Sequence, residues 1–312
     1  MAGQIFPGAL NACLVAFNED VQKKMKRMTP YISVIFSVVA LLCTINPSGE
    51  TSGNLISNEE NGFGYQTVSY VAAFSSALAE YYLLNKNNVE QSFIFKKQLG
   101  NILAIAVIFV DFLITLLSGG RGGFVTYFVF LAASFFFYAK TNKIDFSTIV
   151  KAFFAVFVIV CLGFGAVKIA ENSALSTSGF SRIMGFVSGG GDEGRAALRE
   201  QALQMFLRKP LLGNGLGSVY YELGIYSHNL FTDVLAETGI VGLIFFVSLF
   251  IYTFYCSVRI VRVDKSDLLW IYILIGGFIF SMFSGYYLTR IQLWLELIFI
   301  ICKYRYNRLV GR

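Results

Sequence analysis

Apolar residues run along this chain in blocks rather than in alternation, at 31–46, 65–84, 99–118, 122–139, 152–170, 235–257, 267–287 and 289–303. A helix needs roughly 20 residues to cross the hydrocarbon of a bilayer, and most of these blocks are close to that length. The pattern predicts an all-α polytopic protein with about eight spans. A ninth, shorter apolar stretch at 5–17 carries Pro7 and Gly8, which weaken it as a spanning helix. No basic residue precedes that stretch and no small-residue cleavage site follows it, so a secretory signal is not indicated.

Composition agrees. The chain is 56% hydrophobic and 14% charged, with a mean hydropathy of +0.63, outside the range of soluble domains. The net charge of +6 sits in short clusters between the apolar blocks: Lys23/Lys24/Lys26/Arg27, Lys86/Lys96/Lys97, Lys140/Lys143/Lys151, Arg259/Arg262/Lys265 and Lys303/Arg305/Arg308/Arg312. With eight spans, all five clusters fall on one side, which the positive-inside rule makes the cytoplasm. The charge therefore reports topology, and no nucleic-acid partner is implied. Cys13, Cys43, Cys161, Cys256 and Cys302 lie in or beside apolar blocks without paired spacing, so neither a disulfide framework nor a metal site is expected.

The opposite side receives the acidic 47–64 loop, the tight turn at Arg121, the long segment 171–228 and the turn near Arg290. This divides the chain into N-terminal helices at 1–170, an external loop with a short helix at 171–228 and C-terminal helices at 229–312, within one membrane domain. In the loop, Asp192 is placed to cap a helix that runs from Arg195 to Arg208 and stops before Pro210. Leu198, Ala202, Met205 and Phe206 form its apolar stripe, while Arg195 and Arg199 project together from one face. The glycine-punctuated Pro210–Gly217 turn allows a close approach to a ligand or a fold back on the membrane.

Arg121, Arg182, Arg195, Arg199 and Arg290 thus break the charge rule on the outer face, beside the chain's single histidine, His228. Guanidinium groups hold phosphate oxygens in bidentate geometry and do not deprotonate. An imidazole is suited to take a proton from a sugar hydroxyl near neutral pH. Each also has a structural reading: Arg121 as an interfacial anchor, the other arginines as solvated loop residues, His228 as a helix-start residue, and Glu237 as a partner that fixes the histidine helix, through an arginine, ahead of any acid–base role. No Asp-x-Asp pair occurs, so no metal is called for.

Four features together resemble the O-antigen polymerase and O-antigen ligase superfamily. They are the turn Ser118-Gly119-Gly120-Arg121-Gly122-Gly123, the arginine-bearing helix at Arg195, the Pro210–Gly217 turn, and His228-Asn229-Leu230-Phe231 continuing to Leu235-Ala236-Glu237-Thr238-Gly239. The resemblance covers about residues 50 to 303. It departs from the family at Gly120, where a serine often precedes the arginine, and in having fewer N-terminal spans, as a truncated or reduced chain would.

The resemblance implies a GT-C-like membrane glycosyltransferase of the bacterial inner membrane, with its site on the periplasmic face and no cofactor. It would transfer a glycan from an undecaprenyl-pyrophosphate donor, with inversion, to another lipid-linked repeat (polymerase) or to lipid A core (ligase), and a chain-length regulator is a partner of such polymerases. The Phe/Tyr/Asn-rich composition favours the polymerase. Arg121, Arg195 and His228 are the expected catalytic residues, and Arg182, Arg199, Arg290 and Glu237 the expected substrate contacts. Asp111 and Glu296, inside predicted spans, are costly there unless paired or facing a polar cavity, and they carry the competing reading of a lipid-linked sugar flippase or transporter.

Overall fold

The computed structural model describes residues 10–45, 64–87, 98–141 and 193–311, and among these every regular element is helical. In order they are α1 (Glu19–Ile45), α2 (Tyr65–Asn85), α3 (Gln98–Ser118), α4 (Arg121–Thr141), α5 (Glu193–Arg208), α6 (Ser218–Leu223), α7 (Leu230–Val263), a 3-10 turn (Lys265–Asp267), α8 (Leu268–Ser284) and α9 (Ile291–Leu309). Five helices among the described residues, α1, α3, α4, α7 and the 3-10 turn with α8, are long and apolar enough to cross a membrane. The protein is an integral membrane protein. The predicted span at 152–170, the 47–64 loop up to residue 63, Cys161, Arg182 and Asp192 lie outside the described residues.

Two compact units result, one of residues 27–191 and the other of residues 1–26 with 192–312. In the first, α2 packs against both α3 and α4. Its buried face is built from small residues, Ser69, Ala72, Ala73, Ser75, Ser76, Ala77 and Ala79, which let neighbouring backbones approach closely. This explains why α2 is less apolar than its neighbours: protein covers its polar groups. Ser33 and Ser75 exchange hydroxyl-to-carbonyl hydrogen bonds of 3.0 and 2.8 Å between α1 and α2. Glu80 accepts from Ser76 and Ser134. Asp111 is fully buried beside the Ser37 and Ser75 hydroxyls.

The second unit holds α5 to α9. A short helical segment at 10–16 precedes Asn18, whose Oδ1 accepts the Val21 amide at 3.1 Å and starts α1 there. The basic cluster Lys23–Arg27 therefore lies on the helix rather than ahead of it, and the first span is longer than the apolar block alone predicts. Lys26, 6% exposed, meets Asp264 at 3.0 Å and Asp267 at 2.5 Å, and Lys303 meets Asp267 at 3.2 Å. Lys26 and Lys303 belong to clusters assigned to one side, and the network ties them to Asp264 and Asp267, which flank Lys265 of a third. Glu296 has no ion-pair partner among the described residues; its carboxyl packs on Gly277, where a Cβ would collide with it.

Candidate active site

The site grows from a break in α7. Gly239 has φ 66° and ψ −167°, so the helix is interrupted nine residues after it begins. An interruption strands amides after the break and carbonyls before it. The Pro210–Gly215 turn takes up both sets. Ile240 and Val241 donate to the carbonyls of Pro210 and Leu211 at 2.9 and 3.2 Å, while Asn214 and Gly215 donate to those of Ala236 and Glu237 at 3.0 and 2.9 Å. The Asn214 side-chain amide adds bonds to Met205 and Ala236 carbonyls at 2.7 and 2.9 Å. Gly213, at φ 71°, lies so close to the Glu237–Thr238 backbone that a Cβ would overlap it, and a Cβ on Gly239 would overlap Leu211. The turn thus approaches the α7 backbone. Gly213 serves that contact, while Gly215 and Gly217 have open space where a Cβ would go.

Ahead of α7, His228 adopts φ 59°, the only non-glycine residue with positive φ among those described. Three contacts hold it there. Asp233 Oδ1 accepts the Ser227 amide at 2.9 Å. The Ser227 hydroxyl bonds the Asn229 carbonyl at 3.2 Å and Thr232 at 2.6 Å. Asn229 caps α7, its Oδ1 accepting from Phe231 and Thr232 at 3.0 and 3.2 Å. His228 is therefore not the cap; it is the left-handed residue before the cap. Its ring lies 4.3 Å from that of Tyr226, and Nδ1 is 3.4 Å from the Phe283 carbonyl.

Tyr226 gathers the rest. Burial pushes its phenol up, against the pull of the Arg290 and Arg195 guanidiniums, with Asp233 adding to the rise. Arg195 and Arg290 therefore act electrostatically on the phenol whose ring lies against the histidine. Arg290 is fixed by a 2.8 Å bond from Nη2 to the Ser284 carbonyl and sits 4.2 Å over the Phe280 ring. Arg195 and Arg199 are half-buried on α5, whose Ala202 and Met205 pack with Val219 and Ala236.

Glu237, 1% exposed, accepts from Tyr286 and Tyr287, the latter at 2.7 Å, and from the Val219 amide at 3.2 Å. The arginine partner expected for it is replaced by two tyrosines and a backbone amide. The structural role is fulfilled by joining α6, α7 and the α8–α9 turn.

Arg121 stands in the other unit, as the first residue of α4. Gly119 turns at φ 72°, Ser69 donates to the Gly120 carbonyl at 2.8 Å, and a Cβ on Gly120 or Gly123 would strike Ser69. Gly120, where the family often has serine, is thus matched to Ser69. Arg182 lies outside the described residues. No group of three or more metal-ligating side chains occurs among the described residues.

Residues 104–247, which hold the Arg121 turn, the Arg195 helix, the Pro210–Gly217 turn and the histidine motif, match the O-antigen ligase family. The match supports the O-antigen polymerase and ligase superfamily. No curated protein and no solved structure matches the chain. Tyr226, Asp233, Tyr286 and Tyr287 were not identified from the sequence. Asp233 had a usable signal, since it falls one turn inside the helix that the histidine precedes; the tyrosines resemble any other aromatic at a membrane boundary.

Proposed function

We propose that the protein is a polysaccharide polymerase that transfers a glycan from an undecaprenyl-pyrophosphate donor to a hydroxyl of a second lipid-linked repeat, at the periplasmic face of the bacterial inner membrane. The observation that carries this reading is that the His228 ring lies 4.3 Å from Tyr226, a phenol within the electrostatic reach of Arg290 and Arg195. A hydrogen on Nδ1 directed at the Phe283 carbonyl puts the basic lone pair on Nε2. The acceptor oxygen attacks the anomeric carbon from the face opposite the pyrophosphate, the bond from carbon to phosphate oxygen breaks, and Nε2 takes the acceptor's proton. Arg195 stabilises the charge that collects on the departing pyrophosphate, with Arg199 and Arg290 as further phosphate contacts and Glu237 as the support behind Tyr286 and Tyr287. Configuration inverts, and no metal is required.

The family's description favours a second reading, a ligase whose acceptor is lipid A core. Purified protein supplied with a defined lipid-linked repeat separates the two. Elongation without lipid A core identifies the polymerase; transfer only when core is present identifies the ligase. Movement of unaltered lipid-linked glycan across the bilayer, without transfer, identifies a carrier and sinks both.

A further inference from the structure

Four leucines at the end of α5 and in the turn to α6 point away from protein: Leu207, Leu211, Leu212 and Leu216 are 71, 67, 74 and 69% exposed, and Tyr221 nearby is 90% exposed. None belongs to an apolar block long enough to span. A folded protein rarely leaves so much contiguous apolar surface to water.

The backbone beneath them identifies what covers it. Pro210 and Leu211 are bonded to Ile240 and Val241, the first residues of α7 beyond its break. Those residues open an outward apolar stripe, with Ile240, Val241, Ile244 and Phe245 43, 41, 59 and 73% exposed, on a helix long and apolar enough to cross a membrane. On such a helix the outward stripe faces lipid. The turn continues that stripe past the break, with the polar groups that the break exposes already paired, the condition for irregular backbone at membrane depth. Arg208, Lys209 and Tyr221 flank the leucines, the residue types that reach headgroups or settle at the interface.

We infer that the end of α5 and its turn to α6 form a lipid-seated wedge: Leu207, Leu211, Leu212 and Leu216 insert into the leaflet that α7 enters at Gly239. For the proposed chemistry, on which this consequence alone rests, the wedge holds the Arg195 helix at headgroup depth, where the pyrophosphate of a lipid-linked donor lies.

The test uses the full chain in lipid nanodiscs, with the five native cysteines replaced and a single environment-sensitive fluorophore attached at Leu212→Cys or, as control, at exposed Glu200→Cys. The wedge requires that lipid-borne nitroxides quench the label at 212, and that aqueous dithionite reduces it several-fold more slowly than at 200. Equal reduction at both sites overturns the inference. So does protection at 212 without quenching from lipid, which would mean that another protein segment covers the leucines. The same contrast is required in a His228→Asn background, because seating in lipid does not depend on catalysis; loss of activity with the contrast intact concerns the enzyme reading alone.

Discussion

Asp233 accepts the amide of Ser227 through Oδ1 at 2.9 Å, so a residue inside the first turn of α7 fixes the one immediately before His228. The histidine needs such restraint, because a left-handed backbone is disfavoured for its side chain. Orientation of the imidazole is therefore built from the Asp233 carboxylate, the Asn229 cap and the adjacent Tyr226 ring, and the same geometry decides which substitutions isolate its chemistry.

His228→Asn is the informative exchange. Asparagine tolerates the left-handed conformation better than glutamine does, and Asn229 continues to cap α7. The turn should survive while proton acceptance is lost, and glycan transfer should fall by about 10²–10⁴-fold with expression and thermal stability nearly unchanged. Asp233→Ala should instead lower stability by about 1–3 kcal/mol through the stranded Ser227 amide, and activity with it. Wild-type transfer by His228→Asn would remove the histidine from the reaction.

Arg195→Lys keeps the charge but loses the planar fork that a pyrophosphate contact uses, and it should abolish most transfer. Arg208→Lys is the matched control on the same helix. Its bond to Glu222, 2.8 Å long, joins side chains 61 and 36% exposed, and such a pair contributes about 0–1 kcal/mol. Steady-state transfer measured on both proteins at equal membrane density is the comparison; equal rates would withdraw the clamp from Arg195.

At the opposite pole of the same unit, Asp267 lies between two buried ammonium groups, those of Lys26 and Lys303. Asp267→Asn leaves both without that countercharge and should cost about 3–5 kcal/mol, read as a lower melting temperature in detergent; exposed Lys265→Gln should be close to neutral. Asp264 gives the network a pH dependence. Burial raises its carboxyl, but the Ser266 hydroxyl and Lys26 more than offset this and hold it below the ordinary carboxylate range. A depressed folded value means that its stabilisation is fully present above the unfolded value and is lost as pH falls through the folded one. Acid should thus destabilise the parent more than Asp264→Asn.

The sequence and the structure agree most closely where a pattern has one physical solution. Apolar blocks become helices, and the stripe Ala202–Met205 becomes the buried face of α5, because burial of a periodic face leaves no other choice. The positive φ of His228 rests on bonds among its near neighbours Ser227, Asn229, Thr232 and Asp233, a turn that no single residue type announces; the break at Gly239 was not legible, since it follows from contacts with the distant Pro210 to Gly215 turn. Glu237 shows the same limit. A glutamate in an apolar run announces that it has a partner, and nothing local says that the partners are Tyr286 and Tyr287 rather than an arginine.

That long-range dependence yields the last prediction. Gly213 and Gly239 are separate motifs in the chain but one contact in the fold, each with positive φ and each with the other segment's backbone where a Cβ would go. Alanine at either position adds strain in the left-handed region and a backbone overlap that no side chain can relieve by rotating. Gly213→Ala and Gly239→Ala should each lower stability by more than 1 kcal/mol, roughly the ordinary cost of a backbone-incompatible substitution, and transfer should fail because Glu237 and α5 are displaced together. Gly194→Ala, with open space at its Cβ and no positive φ, should have little effect. Since the two alanines disrupt a single contact, the double variant should be no worse than about the worse single one, a non-additivity that thermal unfolding can measure. Full additivity would mean that the turn and the α7 break are not coupled.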